Sequence, residues 1–178
     1  MKSTLYLKFI IIYIIFGFLS LFTVATLTSG LVNAPLTKGI SSAIYKDANM
    51  VATNYLPEYF SGQTSLNNVH MQLSGMEQHL NAAIWFVDSD GTMITSAQSD
   101  DFPSAPYNVV DFNPAESGNE QYQIGDYHGY FNEDVITVIA PVIYDYSPKG
   151  YLLIHKSTDD IYELHDILMH AAYITLCV

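Results

Sequence analysis

Two closely spaced aspartates offer the first candidate for chemistry. Asp88-Ser89-Asp90-Gly91 lies between two short apolar runs, and oxygen ligands at alternating positions bind calcium in EF-hand loops. Such a loop also needs a glycine at its sixth position and a bidentate acid at its twelfth, whereas Gly91 is fourth here. Asp90-Gly91 instead supplies the positive φ values of a tight hairpin. We therefore predict a hairpin turn, and no metal site, at this point.

The histidines are the next candidates, and their six positions do not form a compact zinc-binding spacing. His155 shares a predicted strand face with Tyr151 and Leu153, which indicates a hydrogen-bonded histidine of the core. His128 has an acid and two tyrosines beside it, so a functional role is an alternative to a plain surface position. The residues that we predict to contact a ligand are Trp85, Asp126, Tyr127, His128, Tyr130 and Tyr144.

The charge of the chain limits its partners. Six lysines, no arginine and eighteen carboxylates give a formal charge of −12, the opposite of what phosphate binding needs, so nucleic acid is excluded as a partner. One set of carboxylates forms either a solvated surface or an acidic face bridged by divalent cations to an anionic membrane. These residues are Asp100, Asp101, Glu116, Glu120, Asp126, Glu133 and Asp134.

Enzymatic motifs are absent from the sequence. It contains no Gly-x-Ser-x-Gly elbow, no glycine-rich phosphate loop and no kinase motif. We predict no catalytic residue and no cofactor in this chain. The single cysteine, Cys177, excludes an intrachain disulfide.

The N-terminal region predicts a membrane span. No charged residue occurs between Lys8 and Lys38, and Phe9 to Leu27 matches the roughly 20 apolar residues that cross a bilayer. A cleaved secretory signal is the alternative, but its apolar region is normally shorter, about 7 to 15 residues. We predict a cytoplasmic segment at residues 1–8 and a transmembrane helix at residues 9–30. The positive-inside rule then places the acidic remainder outside the cytoplasm.

The C-terminal region carries a second apolar run. Residues 167–178 are uncharged but too few to cross a bilayer, so they form either a buried terminal helix or the start of a truncated second transmembrane helix. We favour the second interpretation, because the run ends without a capping signal. Residues 31–166 are then an extracytoplasmic domain, and any cytoplasmic output domain lies beyond this chain.

Helix and strand patterns alternate within this central region. Apolar residues three and four apart predict one helix from Leu36 to Tyr55 and a second from Leu66 to Leu80, with Ser65 as its N-cap. Apolar runs on both faces predict a central position for the first strand. We expect a five-stranded antiparallel meander. Strand patterns occur in six segments, Ala82–Asp88, Thr92–Ser96, Tyr122–Ile124, Tyr127–Phe131, Val135–Tyr144 and Tyr151–Lys156. A long loop, Ala97–Gln121, a turn at Ser147–Gly150 and a final helix capped by Ser157–Asp160 complete the pattern.

Two segments of this sequence resemble extracytoplasmic sensor domains. "IWFVDSDGTMITS" is similar to the strand, turn and strand of PAS-like domains called Cache or PDC domains, and "VITVIAPVIYDYSPKGYLLIHKSTDDIYEL" resembles their closing hairpin. The resemblance implies an α+β, membrane-anchored fold. A long N-terminal helix and a short helix would pack on a five-stranded antiparallel sheet, and a C-terminal helix would return to the membrane.

The same resemblance implies the N-terminal part of a bacterial sensor histidine kinase. The expected partners are a small ligand or cation, the membrane, a second copy in a homodimer, and a cytoplasmic response regulator reached through domains missing from this chain. The alternatives are the sensor of a chemoreceptor or cyclic-dinucleotide enzyme, or a complete anchored surface protein. The lack of arginine argues against a di- or tricarboxylate ligand, because planar bidentate recognition needs that side chain.

Overall fold

A computed structural model of the chain describes residues 2–115 and 122–159. The predicted exit helix after Asp159 and the apolar residues 167–178 lie outside the described residues. The described elements are α1 (Lys2–Asn54), α2 (Pro57–Phe60), α3 (Leu66–Leu80), β1 (Ala83–Asp88), β2 (Met93–Ala97), β3 (Tyr122–Gly125), β4 (Val135–Tyr144) and β5 (Ser147–Ser157).

The chain divides into two compact units, and the unit that contains the sheet comprises residues 38–162. In the other unit, the large apolar side chains described between Tyr6 and Phe22 are exposed. Among the residues that the structure describes, no helix meets the length and hydropathy that a membrane crossing requires. The span at residues 9–30 and the associated domain limits stay predictions.

The sheet has five antiparallel strands in the order β2-β1-β5-β4-β3. β1 lies between β2 and β5, which confirms its predicted central position. The predicted meander is wrong, because β5 inserts between β1 and β4. Burial explains this order: β1, β4 and β5 are largely buried on both faces, whereas the half-exposed β2 and β3 occupy the edges.

The turn that joins β4 to β5 is also different from the predicted one. The chain reverses at Asp145 and Tyr146, whose φ angles are 51° and 58°, and Pro148 already lies in β5 opposite Ile143. Two consecutive positive φ values make a hairpin turn whose twist matches that of the strands. The predicted turn at Ser147–Gly150 followed the usual turn residues, proline and glycine, but pairing between two long apolar strands extends past them.

The predicted strand at Tyr127–Phe131 is a turn. Tyr127, His128 and Gly129 have φ angles of 44°, 59° and 76°, which no extended strand allows. The β3 strand ends before it, at Gly125. We call residues 126–131 the aromatic turn.

Helices cover one face of the sheet, which we call the helix side. The rings of Tyr59 and Phe60 on α2 meet Phe86 of β1 edge to face, at centroid distances of 6.0 and 5.9 Å. The α3 helix begins at the predicted N-cap, where Ser65 Oγ accepts a hydrogen bond from Asn68 N at 3.3 Å. At its other end, Lys156 Nζ of β5 donates to Leu80 O at 2.8 Å. Along α1, the predicted apolar positions Ile44, Ala48 and Val51 are buried in the same compact unit.

Gly150 of β5 marks the closest approach on the helix side. A Cβ atom at this position would clash with the backbone oxygen of Val87 and lie 3.2 Å from Phe86 and 3.3 Å from Phe60. The absence of a side chain at this residue allows the aromatic rings of α2 and β1 to meet over the sheet.

Candidate functional site

The opposite face of the sheet, which we call the loop side, carries the candidate site. Strand register places Trp85 opposite Leu153, and Thr137 opposite His155, so that all four share this face. Two irregular segments cover them. Val109 of the 98–115 loop is buried against this core, and so are Tyr127 and Phe131 of the aromatic turn.

Aromatic rings enclose His155 on the loop side. Ring centroids of Trp85, Tyr127 and Phe131 lie 4.3, 4.6 and 4.9 Å from the imidazole. Trp85 stacks on Phe131 at 5.7 Å and meets Tyr127 and Tyr130 edge to face at 6.0 and 5.6 Å. The predicted ligand residues Trp85, Tyr127 and Tyr130 therefore belong to a single buried cluster.

His155 has one bonded and one unpartnered nitrogen. Its Nδ1 lies 2.8 Å from Thr137 Oγ1, and the predicted core position is confirmed. Its Nε2 has no hydrogen-bond partner among the described residues, so the histidine is only half satisfied. Full burial lowers the pKa of His155 to about 3, because desolvation disfavours the imidazolium, and the ring is neutral at pH 7. Trp85 Nε1 is also buried, and no residue within 2–115 and 122–159 forms a hydrogen bond with it. An unsatisfied buried polar atom costs roughly 1 to 3 kcal/mol.

The aromatic turn is held by hydrogen bonds within it and to the loop. Phe131 N donates to Asp126 O at 3.0 Å, which closes the turn. Tyr130 Oη accepts from Val110 N at 3.0 Å and donates to Asn108 O at 3.3 Å. The hydroxyl of this half-buried tyrosine therefore connects the 98–115 loop to the aromatic turn.

A cleft of about 220 Å³ opens between β3 and the start of the aromatic turn. Thr137 is buried at this cleft, and its hydroxyl joins the cleft to His155. The residues that line the cleft are Gln123, Ile124, Gly125, Asp126, Tyr127, His128 and Thr137. Ligand pockets commonly have volumes of about 300 to 1,000 Å³, so this cleft suits a compact molecule.

The predicted ligand residues divide into three groups. Asp126, Tyr127 and His128 line the cleft, and Trp85 and Tyr130 contact the ring of Tyr127 from the core. Tyr144 lies near the end of β4, paired with Ser147, and is not among the lining residues. The sequence analysis did not single out Gln123 and Thr137. These two residues are paired in the β3-β4 register, and this pairing places both of them at the cleft.

The structure also describes the candidate metal residues. Asp88 Oδ1 accepts hydrogen bonds from Asp90 N and Thr92 N, both at 2.9 Å, and Gly91 has a φ of 83°. The predicted hairpin turn is confirmed. Within residues 2–115 and 122–159, no group of three or more histidine, cysteine or acidic side chains is placed to hold a metal ion. Glu116 and Glu120 of the acidic set lie outside the described residues.

Comparison with solved structures finds similar folds. The sensor domain of the histidine kinase DctB from V. cholerae aligns over 76% of this chain with a TM-score of 0.50 and 12% identity. A domain of a sensory box/GGDEF family protein from Vibrio parahaemolyticus aligns over 71% with a TM-score of 0.52 and 14% identity. The extracellular domain of another histidine kinase aligns over 80% with a TM-score of 0.54 and 13% identity.

This chain has a Cache/PDC-like fold. The α+β class and the five-stranded antiparallel sheet predicted from the sequence are confirmed. The chain spans 57%, 56% and 60% of the lengths of these three structures. No family model matches the sequence, and a search of curated proteins also found no match. In this fold, the aromatic cluster and the cleft lie on the loop side of the sheet, opposite the helix side.

Proposed function

We propose that this chain is the signal-sensing N-terminal portion of a two-component sensor histidine kinase. The observation that carries the proposal is the sensor fold, with two of the three similar structures coming from histidine kinases. The absence of catalytic motifs from the sequence agrees with a domain that binds a signal and leaves chemistry to a separate kinase domain.

A small ligand in the cleft would act through the sheet. The cleft includes Thr137 of β4, which is bonded to His155 of β5, and these strands pair along nearly their whole length. Ligand binding that favours one packing of the aromatic turn over another would shift the population of the β4-β5 pair. In a membrane-anchored homodimer, this shift would pass through transmembrane helices to a cytoplasmic kinase and its response regulator.

The coding sequence after Val178 tests the kinase assignment. We expect a dimerisation-helix histidine and ATP-binding motifs in the same reading frame. The full gene product, in detergent, should then incorporate the γ-phosphate of ATP in an alkali-stable, acid-labile form typical of phosphohistidine. A stop codon directly after Val178, or a downstream chemoreceptor or cyclic-dinucleotide domain, would refute the histidine kinase.

Cysteine labelling in intact cells tests the location. We propose that the cell membrane holds the chain and that residues 31–166 lie outside the cytoplasm. Asp100 is exposed in the described loop, so Asp100→Cys in a Cys177→Ser background should react with a membrane-impermeant maleimide. The matched variant, Lys8→Cys, should react only after permeabilisation. Equal protection of both cysteines in intact cells would contradict the proposed topology.

A further inference from the structure

The cleft beside the aromatic turn has the electrostatics of a cation site. Asp126 is the one acidic residue among the described residues that line it, and its side chain is exposed. No lysine is among the lining residues, and the sequence contains no arginine. A carboxylate or phosphate ligand would therefore meet a like charge without a counter-ion.

Thr137 adds an acceptor at the buried end of the same cleft. Its hydroxyl lies 2.8 Å from His155 Nδ1, and a neutral imidazole can accept the threonine proton there. In that arrangement, the lone pairs of Thr137 Oγ1 remain to accept hydrogen bonds from a ligand. A carboxylate at the edge and a hydroxyl acceptor at the buried end both favour a ligand that donates hydrogen bonds and carries positive charge.

Aromatic and metal-ligand geometry distinguish an organic cation from a metal ion. Tyr127 is among the lining residues, and the rings of tyrosine side chains attract ammonium groups. Metal ions need several oxygen or nitrogen ligands, and the described part of the chain has no group of three such side chains in place. The volume, about 220 Å³, limits the organic cation to a compact one.

We propose that this cleft binds a small organic amine in its protonated form, with the ammonium group between the Asp126 carboxylate and Thr137 Oγ1. The ligand class deepens the proposed sensing function and rests on it for its biological meaning, but binding itself is measured independently of any kinase. Trp85 is the sole tryptophan of the chain and its ring contacts that of Tyr127, so its fluorescence is sensitive to a change at Tyr127.

The test uses the full chain in detergent and three probes of similar size. n-Butylammonium chloride supplies the cation, 1-butanol a neutral control, and sodium butyrate an anion, with magnesium chloride as a metal control. We expect a saturable change in Trp85 fluorescence and a raised melting temperature with butylammonium alone. Equal responses to butanol, or binding of butyrate or magnesium in its place, would overturn the proposal.

Matched variants assign the response to the cleft. Asp126→Asn should weaken butylammonium binding at least tenfold, while Asp145→Asn should leave it unchanged. Asp145 is an exposed carboxylate of the β4-β5 turn outside the cleft, and asparagine suits its positive φ. Thr137→Val should also weaken binding, and Thr137→Ser, which keeps the hydroxyl, should restore it. Indistinguishable affinities for the Asp126 and Asp145 variants would refute the site.

The outcomes separate this proposal from the proposed function. If the gene product phosphorylates itself but its cleft does not bind butylammonium, the proposed ligand class is refuted and the proposed kinase function is supported. If the chain binds butylammonium but its gene encodes no kinase, the proposed kinase function is refuted and the proposed ligand class is supported.

Discussion

The helix side and the loop side of the sheet differ in how completely their polar groups are satisfied. On the helix side, α2 packs two aromatic rings on Phe86, Ser65 caps the start of α3, and Lys156 Nζ donates a hydrogen bond to Leu80 O at the end of α3. On the loop side, two irregular segments bury Trp85 Nε1 and His155 Nε2, and neither atom has a hydrogen-bond partner in the described part of the chain. The first face is arranged for stability, and the second retains unsatisfied groups of the kind that mark functional sites.

Gly150→Ala should have the largest effect, because it disturbs the helix side at its closest contact. The new methyl group would meet the Val87 backbone and the rings of Phe86 and Phe60. We expect the free energy of unfolding to fall by about 3 kcal/mol, as overpacking in a rigid core does. Chemical denaturation followed by Trp85 fluorescence measures this loss.

The matched control is Gly75→Ala in α3, where an added Cβ has no neighbour within 4 Å. It should raise stability by up to about 1 kcal/mol through helix propensity. Similar losses for both alanine variants would show that the tight packing at Gly150 has no special role.

Acid should destabilise the protein through the loop side. The pKa of His155 is lowered from 6.5 to about 3, so between these pH values the unfolded chain binds a proton that the folded chain does not. The contribution of the neutral imidazole to the free energy of unfolding is fully present above pH 6.5. It is lost as the pH falls towards the folded-state pKa, by about 1.4 kcal/mol per pH unit. Between pH 6.5 and 5, the loss is about 2 kcal/mol.

His155→Gln removes this titration and should flatten the decline in stability over the same range. The control His79→Gln lies at an exposed position in the last turn of α3, and its free energy of unfolding should depend on pH with the same slope as that of the wild type. Denaturation curves at half-unit pH intervals give both slopes. Parallel curves for wild type and His155→Gln would contradict the role assigned to the buried imidazole.

Lys156→Met should have a smaller effect on the helix side. It removes the bond from Lys156 Nζ to Leu80 O and keeps a similar apolar stem, so we expect a loss of about 1 kcal/mol. Lys149→Met, at an exposed position of β5, serves as the charge-matched control. The idea fails if the two methionine variants melt at the same temperature.

Tyr130→Phe should have the smallest effect on global stability and a clear local one. The variant loses the bonds to Val110 N and Asn108 O, while the ring can still pack on Trp85. We expect a cost of about 0.5 to 1 kcal/mol. Hydrogen exchange at the Val110 amide should become faster. Unchanged exchange there would mean that this phenol does not fasten the loop.

Local chemistry predicted much of this fold from the sequence. Ser65 was identified as an N-cap, Asp88 to Gly91 as a turn, and β1 as a central strand, because each depends on neighbouring residues or on the burial pattern of a single strand. The position of β5 beside β1 depends on pairing between residues far apart in sequence, which no local pattern encodes.

The candidate site was only partly predictable for the same reason. Asp126, Tyr127 and His128 were named because they are adjacent in sequence, and they do line one cleft. The strand predicted at Tyr127–Phe131 is wrong, because aromatic residues favour strands, whereas Tyr127, His128 and Gly129 have positive φ angles and form a turn. Thr137 was missed because its importance comes from His155, its partner across the β4-β5 register.

The position of His155 in the chain sets how far a signal would travel. Thr158, three residues later, uses both its backbone N and its hydroxyl to bind Asp134 O, at 3.1 and 2.8 Å. At about 3.3 Å per strand residue, the backbone path from His155 to Thr158 is roughly 10 Å long. A change at the cleft would therefore reach the hydrogen bonds between Thr158 and Asp134 along β5 and the residue that follows it, without first crossing a loop.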